Sequence, residues 1–110
     1  MEITKCEAET IRIYIAGSRH LIEDACKEFC NQIGYCVSVK EANFIYTGGS
    51  ESGFEITIIN YARFPADYDF HMERATALAK KLIDAAYQKS CSIVSSKESL
   101  WISKHIEAAS

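Results

Sequence analysis

The sequence is poor in residues that interrupt regular structure. One proline and five glycines among 110 residues exclude a proline-rich linker and a fibrous repeat. No apolar run approaches the roughly 20 residues of a membrane-spanning helix. The first ten residues carry several acids and no apolar stretch, so they do not read as a secretory signal. Basic residues are not in surplus either: Lys plus Arg number 12 against 15 Asp plus Glu, a net charge of −3. A dedicated nucleic-acid binder shows the opposite balance, so neither a nucleic acid nor a membrane is expected as a partner. What is present is ordinary globular composition, 48% apolar and 25% charged. It predicts one α+β domain over residues 1–110, with an arm at 1–10 and a frayed tail at 104–110.

Cysteine is comparatively abundant, at positions 6, 26, 30, 36 and 91. An odd number without a secretion signal reads as reduced thiols in the cytoplasm. Cys26 and Cys30 share a helix face by their spacing of four. No Cys-x-x-Cys occurs and no histidine lies near either in sequence, so no metal and no cofactor are expected. The expectation is that the cysteines are core residues.

Ile11, Ile13 and Ile15 alternate with polar residues and predict a strand over 11–16. Gly17-Ser18 ends it, and Ser18 is placed to cap a following helix. Leu21, Ile22, Ala25, Cys26, Phe29, Cys30 and Ile33 form one stripe, predicting an amphipathic helix from Arg19 to Ile33 that Gly34 ends. A second strand is predicted from Tyr35, bending at Lys40–Asn43 and resuming to Thr47. A glycine-rich turn over 48–53 and a third strand over 54–61 follow. The second helix starts at a cap on Asp67 or Asp69, runs to Gln88 or Lys89, and buries Met72, Ala75, Ala79 and Leu82. Residues 91–94 and 100–102 predict a terminal hairpin. The order β-α-β-β-α-β plus a C-terminal strand specifies a two-layer α+β sandwich. It is the ferredoxin-like split βαβ arrangement, an antiparallel sheet with two helices on one face. The open face then carries Arg12, Tyr14, Cys36, Ser38, Glu55, Thr57, Ile59, Tyr61 and Trp101, a mixture suited to a ligand or to a second copy.

Four groups of residues could carry chemistry. The Gly48–Gly53 segment could expose backbone N–H groups to an anion. It lacks the Gly-Lys-Ser/Thr ending of a P-loop, and a strand follows where a helix should begin; a plain hairpin turn is the structural alternative. Arg63, beside Asn60 and Tyr61, would suit a carboxylate or phosphate; the alternative is an ion pair with Asp67 or Asp69. His20 and His71 open the two helices, which places them at the same end of the domain if the helices run alike. Surface positions are the alternative for both of these and for His105. Lys80, Lys81 and Lys89 read as a solvated helix face. No catalytic motif is present.

Several phrases together resemble a group of small proteins of tailed phages and prophages, mostly of unassigned function. These are Ile11–Gly17, Phe44–Gly49 with Glu51 and Gly53, Ile59–Tyr61 with Arg63-Phe64-Pro65, and Trp101–Ser103. Ala62 stands where that group usually carries proline. The resemblance covers residues 11–103. It implies an accessory binding protein in the cytoplasm of a bacterial host, a host-defence inhibitor that binds a protein or sequesters a nucleotide-like ligand. With the residue reading it predicts a homo-oligomer and a ligand- or partner-binding site at Tyr46, Glu51, Asn60, Tyr61 and Arg63. Two alternatives stay open: a small enzyme acting on a phosphorylated or carboxylated metabolite, and a purely structural oligomer subunit.

Overall fold

The computed structural model describes residues 1–104; the predicted tail, with His105, lies almost wholly outside them. The isoleucine alternation forms β1 (Thr10–Ala16), with Ile11, Ile13 and Ile15 buried. Helix α1 (Arg19–Ile33) buries Ile22, Ala25, Cys26 and Phe29, the spacing of one helical stripe. Ser18 holds the N-cap position without a side-chain bond; its carbonyl accepts the Ile22 N–H at 3.1 Å. Gly34 ends the helix at φ +68°, in the left-handed region where a side chain is disfavoured.

The remaining elements are β2 (Ser38–Tyr46), β3 (Gly49–Ile59), α2 (Tyr68–Ala85), β4 (Ser90–Val94) and β5 (Ser99–Ser103). Asp67 caps α2, its carboxylate accepting the Phe70 N–H at 2.8 Å. The sheet order is β2-β3-β1-β4-β5, and every neighbouring pair is antiparallel. This is the predicted split βαβ arrangement with β5 added outside β4. Ile13, Ile56 and Ile93 from the three central strands meet Ile22 of α1 and Leu78 and Leu82 of α2, all fully buried. Both helices therefore cover one sheet face and leave the other open.

Three expectations need correction. The bend predicted at Lys40–Asn43 is absent: Lys40, Glu41, Ala42 and Asn43 pair in unbroken register with Glu55, Phe54, Gly53 and Ser52. Strand pairing over nine residues overrides the weak β-preference of that run. The glycine-rich segment is not a six-residue turn. Tyr46 pairs with Gly49, so the turn is Thr47-Gly48, with Gly48 at φ +85°, and residues 49–53 are strand. These residues extend β3 along β2 instead of forming a loop. Finally, the two helices start at opposite ends of the sheet. Each follows the C-terminal end of a strand, β1 or β3, and those strands are antiparallel. His20 and His71 are thus far apart.

Candidate functional site

Antiparallel partners point to the same side of a sheet, so the register lays out the open face in rows. Lys40, Glu55, Tyr14, Ser92 and Trp101 stand in one row across all five strands. The next row toward the β2–β3 hairpin is small: Ala42, Gly53 and Ala16. A Cβ on Gly53 would collide with the Ile15 carbonyl and with the Phe44 ring. Only glycine lets the Phe44 ring lie over the strand there. Phe44 in turn meets Tyr14 edge-on, with ring centroids 6.5 Å apart.

Small residues between larger ones leave a hollow of about 440 Å³. Tyr14, Phe44, Tyr87 and Trp101 supply aromatic walls, and Glu51 and Lys89 supply one charge of each sign. Trp101 is 72% exposed, which places an indole face in solvent beside the hollow. Glu55, in the same row as Tyr14, lies 3.9 Å from the Arg12 Nε and accepts the Thr57 hydroxyl at 3.4 Å. Burial, and then the Glu55 carboxylate, push the Tyr14 hydroxyl above its ordinary pKa.

Tyr87 is the strained residue of this site. Helix α2 closes with the Gln88 N–H on the Ile83 carbonyl at 2.9 Å and the Tyr87 N–H on the Asp84 carbonyl at 3.3 Å. That is a Schellman closure, whose left-handed position is usually glycine. Here it is Tyr87, at φ +56°, with its side chain 83% exposed. A bulky residue in that region costs of order 1 kcal/mol. Its ring contributes no core packing and lines the hollow.

A second cavity lies at the other end of β3, between the end of α1 and the start of α2. It measures about 580 Å³, with Tyr35, Ile59, Tyr61, Phe64, Phe70 and His71 among its walls. His71 is 3% exposed, which corrects the expected surface position. Its Nδ1 lies 2.6 Å from the Tyr35 hydroxyl and its Nε2 2.9 Å from Asn60 Oδ1. The bonding assigns the protons. Asn60 Oδ1 also accepts the Ala66 N–H at 3.0 Å, and Asn60 Nδ2 donates to the Glu7 carbonyl at 2.8 Å. Oδ1 is therefore the acceptor, His71 Nε2 carries hydrogen, and Tyr35 donates to Nδ1. Burial lowers the His71 pKa, against Asp67 and Glu9, which raise it. Burial also pushes the Tyr35 hydroxyl up to about 12.

The five predicted site residues divide between these ends. Glu51 lines the sheet-face hollow, and Tyr46 folds against Gly49 at the hairpin turn. Asn60 positions His71, and Tyr61 lines the second cavity. Arg63 lies over the Phe64 ring, 5.0 Å from its centroid, and pairs with no carboxylate among the described residues; the predicted ion pair with Asp67 or Asp69 is absent. Glu51 and Ile59, the residue before Asn60, are eight residues apart on β3, roughly 26 Å, so the five do not share a site. The cysteines also divide. Cys26 and Cys91 are buried and Cys36 is exposed, correcting the expectation that all are core. Burial pushes the Cys26 thiol up to about 12 and Cys91 to about 11. Among the described residues no three His, Cys, Asp or Glu side chains cluster as metal ligands would.

No protein-family model and no curated protein matches the sequence. Solved structures do. A phage SAM lyase in complex with S-methyl-5′-thioadenosine superposes with a TM-score of 0.71 at 20% identity, over 94% of this chain and 95% of that one. A phage SAM lyase in the apo state gives 0.68 at 15% identity, over 89% and 90%. The chain has the fold of these lyases. The match covers both proteins nearly end to end. Among the described residues, no helix is long and apolar enough to cross a membrane.

Proposed function

We propose that this protein binds a sulfonium nucleoside of the S-adenosylmethionine class in the sheet-face hollow and cleaves it to the thioether nucleoside. The observation that carries the reading is the hollow itself. It combines four aromatic side chains with a carboxylate, in a chain sharing the fold of a lyase whose structure holds S-methyl-5′-thioadenosine.

The chemistry agrees with the lining. Adenine is a flat ring that stacks on exposed aromatic faces such as Trp101, a stack worth about 1–3 kcal/mol. A ribose diol donates two hydrogen bonds, and Glu51 offers the acceptors. A sulfonium is a cation, which aromatic faces and carboxylates attract; Glu55 adds a second carboxylate on the same face. As the carbon–sulfur bond breaks, sulfur keeps the electron pair and leaves as a neutral thioether, while an oxygen of the substrate's own carboxylate bonds to the departing carbon and closes a lactone. No metal and no redox partner enter that balance. Tyr87, held in a disfavoured conformation at the wall, fits a residue kept for contact with a ligand.

The biological setting follows from the same reading. A small phage-type protein that removes this nucleoside in the host cytoplasm deprives host enzymes of it, the host-defence role that the sequence resemblance implies. The test is direct. Purified protein is incubated with S-adenosylmethionine and the mixture is resolved by liquid chromatography and mass spectrometry. The expected result is accumulation of S-methyl-5′-thioadenosine, reduced at least tenfold in Glu51→Gln. Tight binding without product would convert the reading to sequestration. Neither binding nor product would end it.

A further inference from the structure

The cavity at the end of α1 takes no part in that chemistry, yet it is the larger of the two. We propose that it is a second ligand site, selective for an uncharged, flat heteroaromatic ring carrying an N–H or O–H donor.

Its walls set the charge. No Asp, Glu, Lys or Arg lines it, and its one imidazole, His71, is 3% exposed, where burial disfavours the cation. Arg63 and Arg74 lie over the Phe64 and Phe70 rings, but neither lines the cavity. A charged ligand entering would lose its hydration and gain no ionic partner. The sheet-face hollow has Glu51 and Lys89 and is the opposite case.

The walls also set the shape. Phe64 is 66% exposed and Phe70 39%, large apolar areas in water at the mouth. Phe70 stands edge-on to His71, with centroids 5.6 Å apart, and Tyr35 packs against both at 6.5 and 6.0 Å. Rings at these angles accept a further ring edge-on or offset. A volume of about 580 Å³ falls within the range of small-molecule sites.

The hydrogen-bonding groups then fix the polarity. The Tyr35 hydroxyl spends its proton on His71 Nδ1 and keeps an unused lone pair, so it can only accept from a newcomer. Fixing the His71 tautomer through Asn60 and Ala66 keeps it so. Tyr61, whose oxygen lies 4.0 Å from the Cys36 sulfur, has a hydroxyl proton free for an acceptor. One acceptor and one donor on apolar walls match a heteroaromatic ring better than an aliphatic chain.

The probe is indole, neutral with a single N–H; the matched control is indole-3-acetate, the same ring with a carboxylate. Amide shifts are followed by two-dimensional NMR during titration. Indole is expected to shift residues 34–36 and 61–71 saturably, and indole-3-acetate to bind at least tenfold more weakly. Phe64→Ala, a surface change that leaves the core intact, is expected to weaken indole about tenfold, and Tyr35→Phe should do so by removing the acceptor. Should Tyr35→Phe fail to fold, Phe64→Ala carries the test alone. Absence of saturable shifts in those segments, equal binding of the carboxylate, or shifts confined to the sheet face would each overturn the proposal. None of these results depends on whether S-adenosylmethionine is cleaved.

Discussion

The two ends of the sheet solve opposite problems with similar parts. Each is rimmed by aromatic rings, and each begins where a helix closes in a left-handed residue. At the end of α1 that residue is Gly34, unstrained, and the chain proceeds into Tyr35 and a neutral hydrogen-bonded trio. At the end of α2 it is Tyr87, strained, and the chain proceeds into an open hollow bearing Glu51 and Lys89. One end holds its polar groups in internal hydrogen bonds, supports the fold and offers a ligand only neutral walls. The other leaves charged groups facing outward and is free to bind a charged nucleoside. Stability and charged-ligand recognition are thereby separated along β3.

Substitutions can break that separation, and the largest effect belongs to the buried trio. His71→Ala takes the acceptor from the Tyr35 hydroxyl and one of two donors from Asn60 Oδ1, and opens a void. Loss of about 2–4 kcal/mol is expected, read as a lowered urea midpoint, while nucleoside binding by the folded fraction stays unchanged. At the other end, Trp101→Ala and Glu51→Gln each remove an exposed group. They should weaken nucleoside binding by about tenfold or more with stability held within about 0.5 kcal/mol, measured by calorimetry beside chemical unfolding.

Acidity should also act on the buried end. The folded His71 pKa lies below the ordinary value of about 6.5, because burial disfavours the cation. The unfolded chain therefore takes up the proton first as pH falls. His71 contributes its stability fully above about pH 6.5 and loses it as pH drops toward the folded pKa. The urea midpoint should decline between pH 7 and 5, and this decline should flatten in His71→Gln. The smallest expected effect is Tyr87→Gly. Relief of left-handed strain should raise stability by about 0.5–1 kcal/mol while nucleoside affinity falls. A destabilised Tyr87→Gly would mean that the ring packs for the fold and not for a ligand.

Much of the fold is legible in the pattern of apolar residues. The isoleucines of β1 and the stripe of α1 have periods that admit one reading each, and Gly34 marks the helix end by its chemistry. The glycine-rich segment misleads because glycine ordinarily signals a turn, whereas Gly53 is in a strand to make room for Phe44, nine residues earlier. Nothing local in the sequence announces that packing. Lys40–Asn43 misleads for a similar reason, since its conformation comes from the partner strand. The burial of His71 does have a signal: it sits four residues before Ala75 and seven before Leu78 on the apolar stripe of α2. Its partners Tyr35 and Asn60 lie 36 and 11 residues away, and no spacing rule connects them. The same is true of the sheet-face hollow, whose walls come from all five strands and the end of α2. Glu51 is legible as an isolated charge beside glycines; Tyr87 is hidden because its role depends on a backbone angle.

A nucleoside bound on the open sheet face would sit beside a built-in reporter. The chain has a single tryptophan, Trp101, in the wall of that hollow, so its fluorescence reports on this site. Titration with S-methyl-5′-thioadenosine, excited where adenine does not absorb, is predicted to give a saturable change in Trp101 emission that Glu51→Gln weakens. Binding detected by calorimetry with Trp101 emission unmoved, or binding abolished by Phe64→Ala and untouched by Glu51→Gln, would contradict it and move the nucleoside to the other end of the sheet.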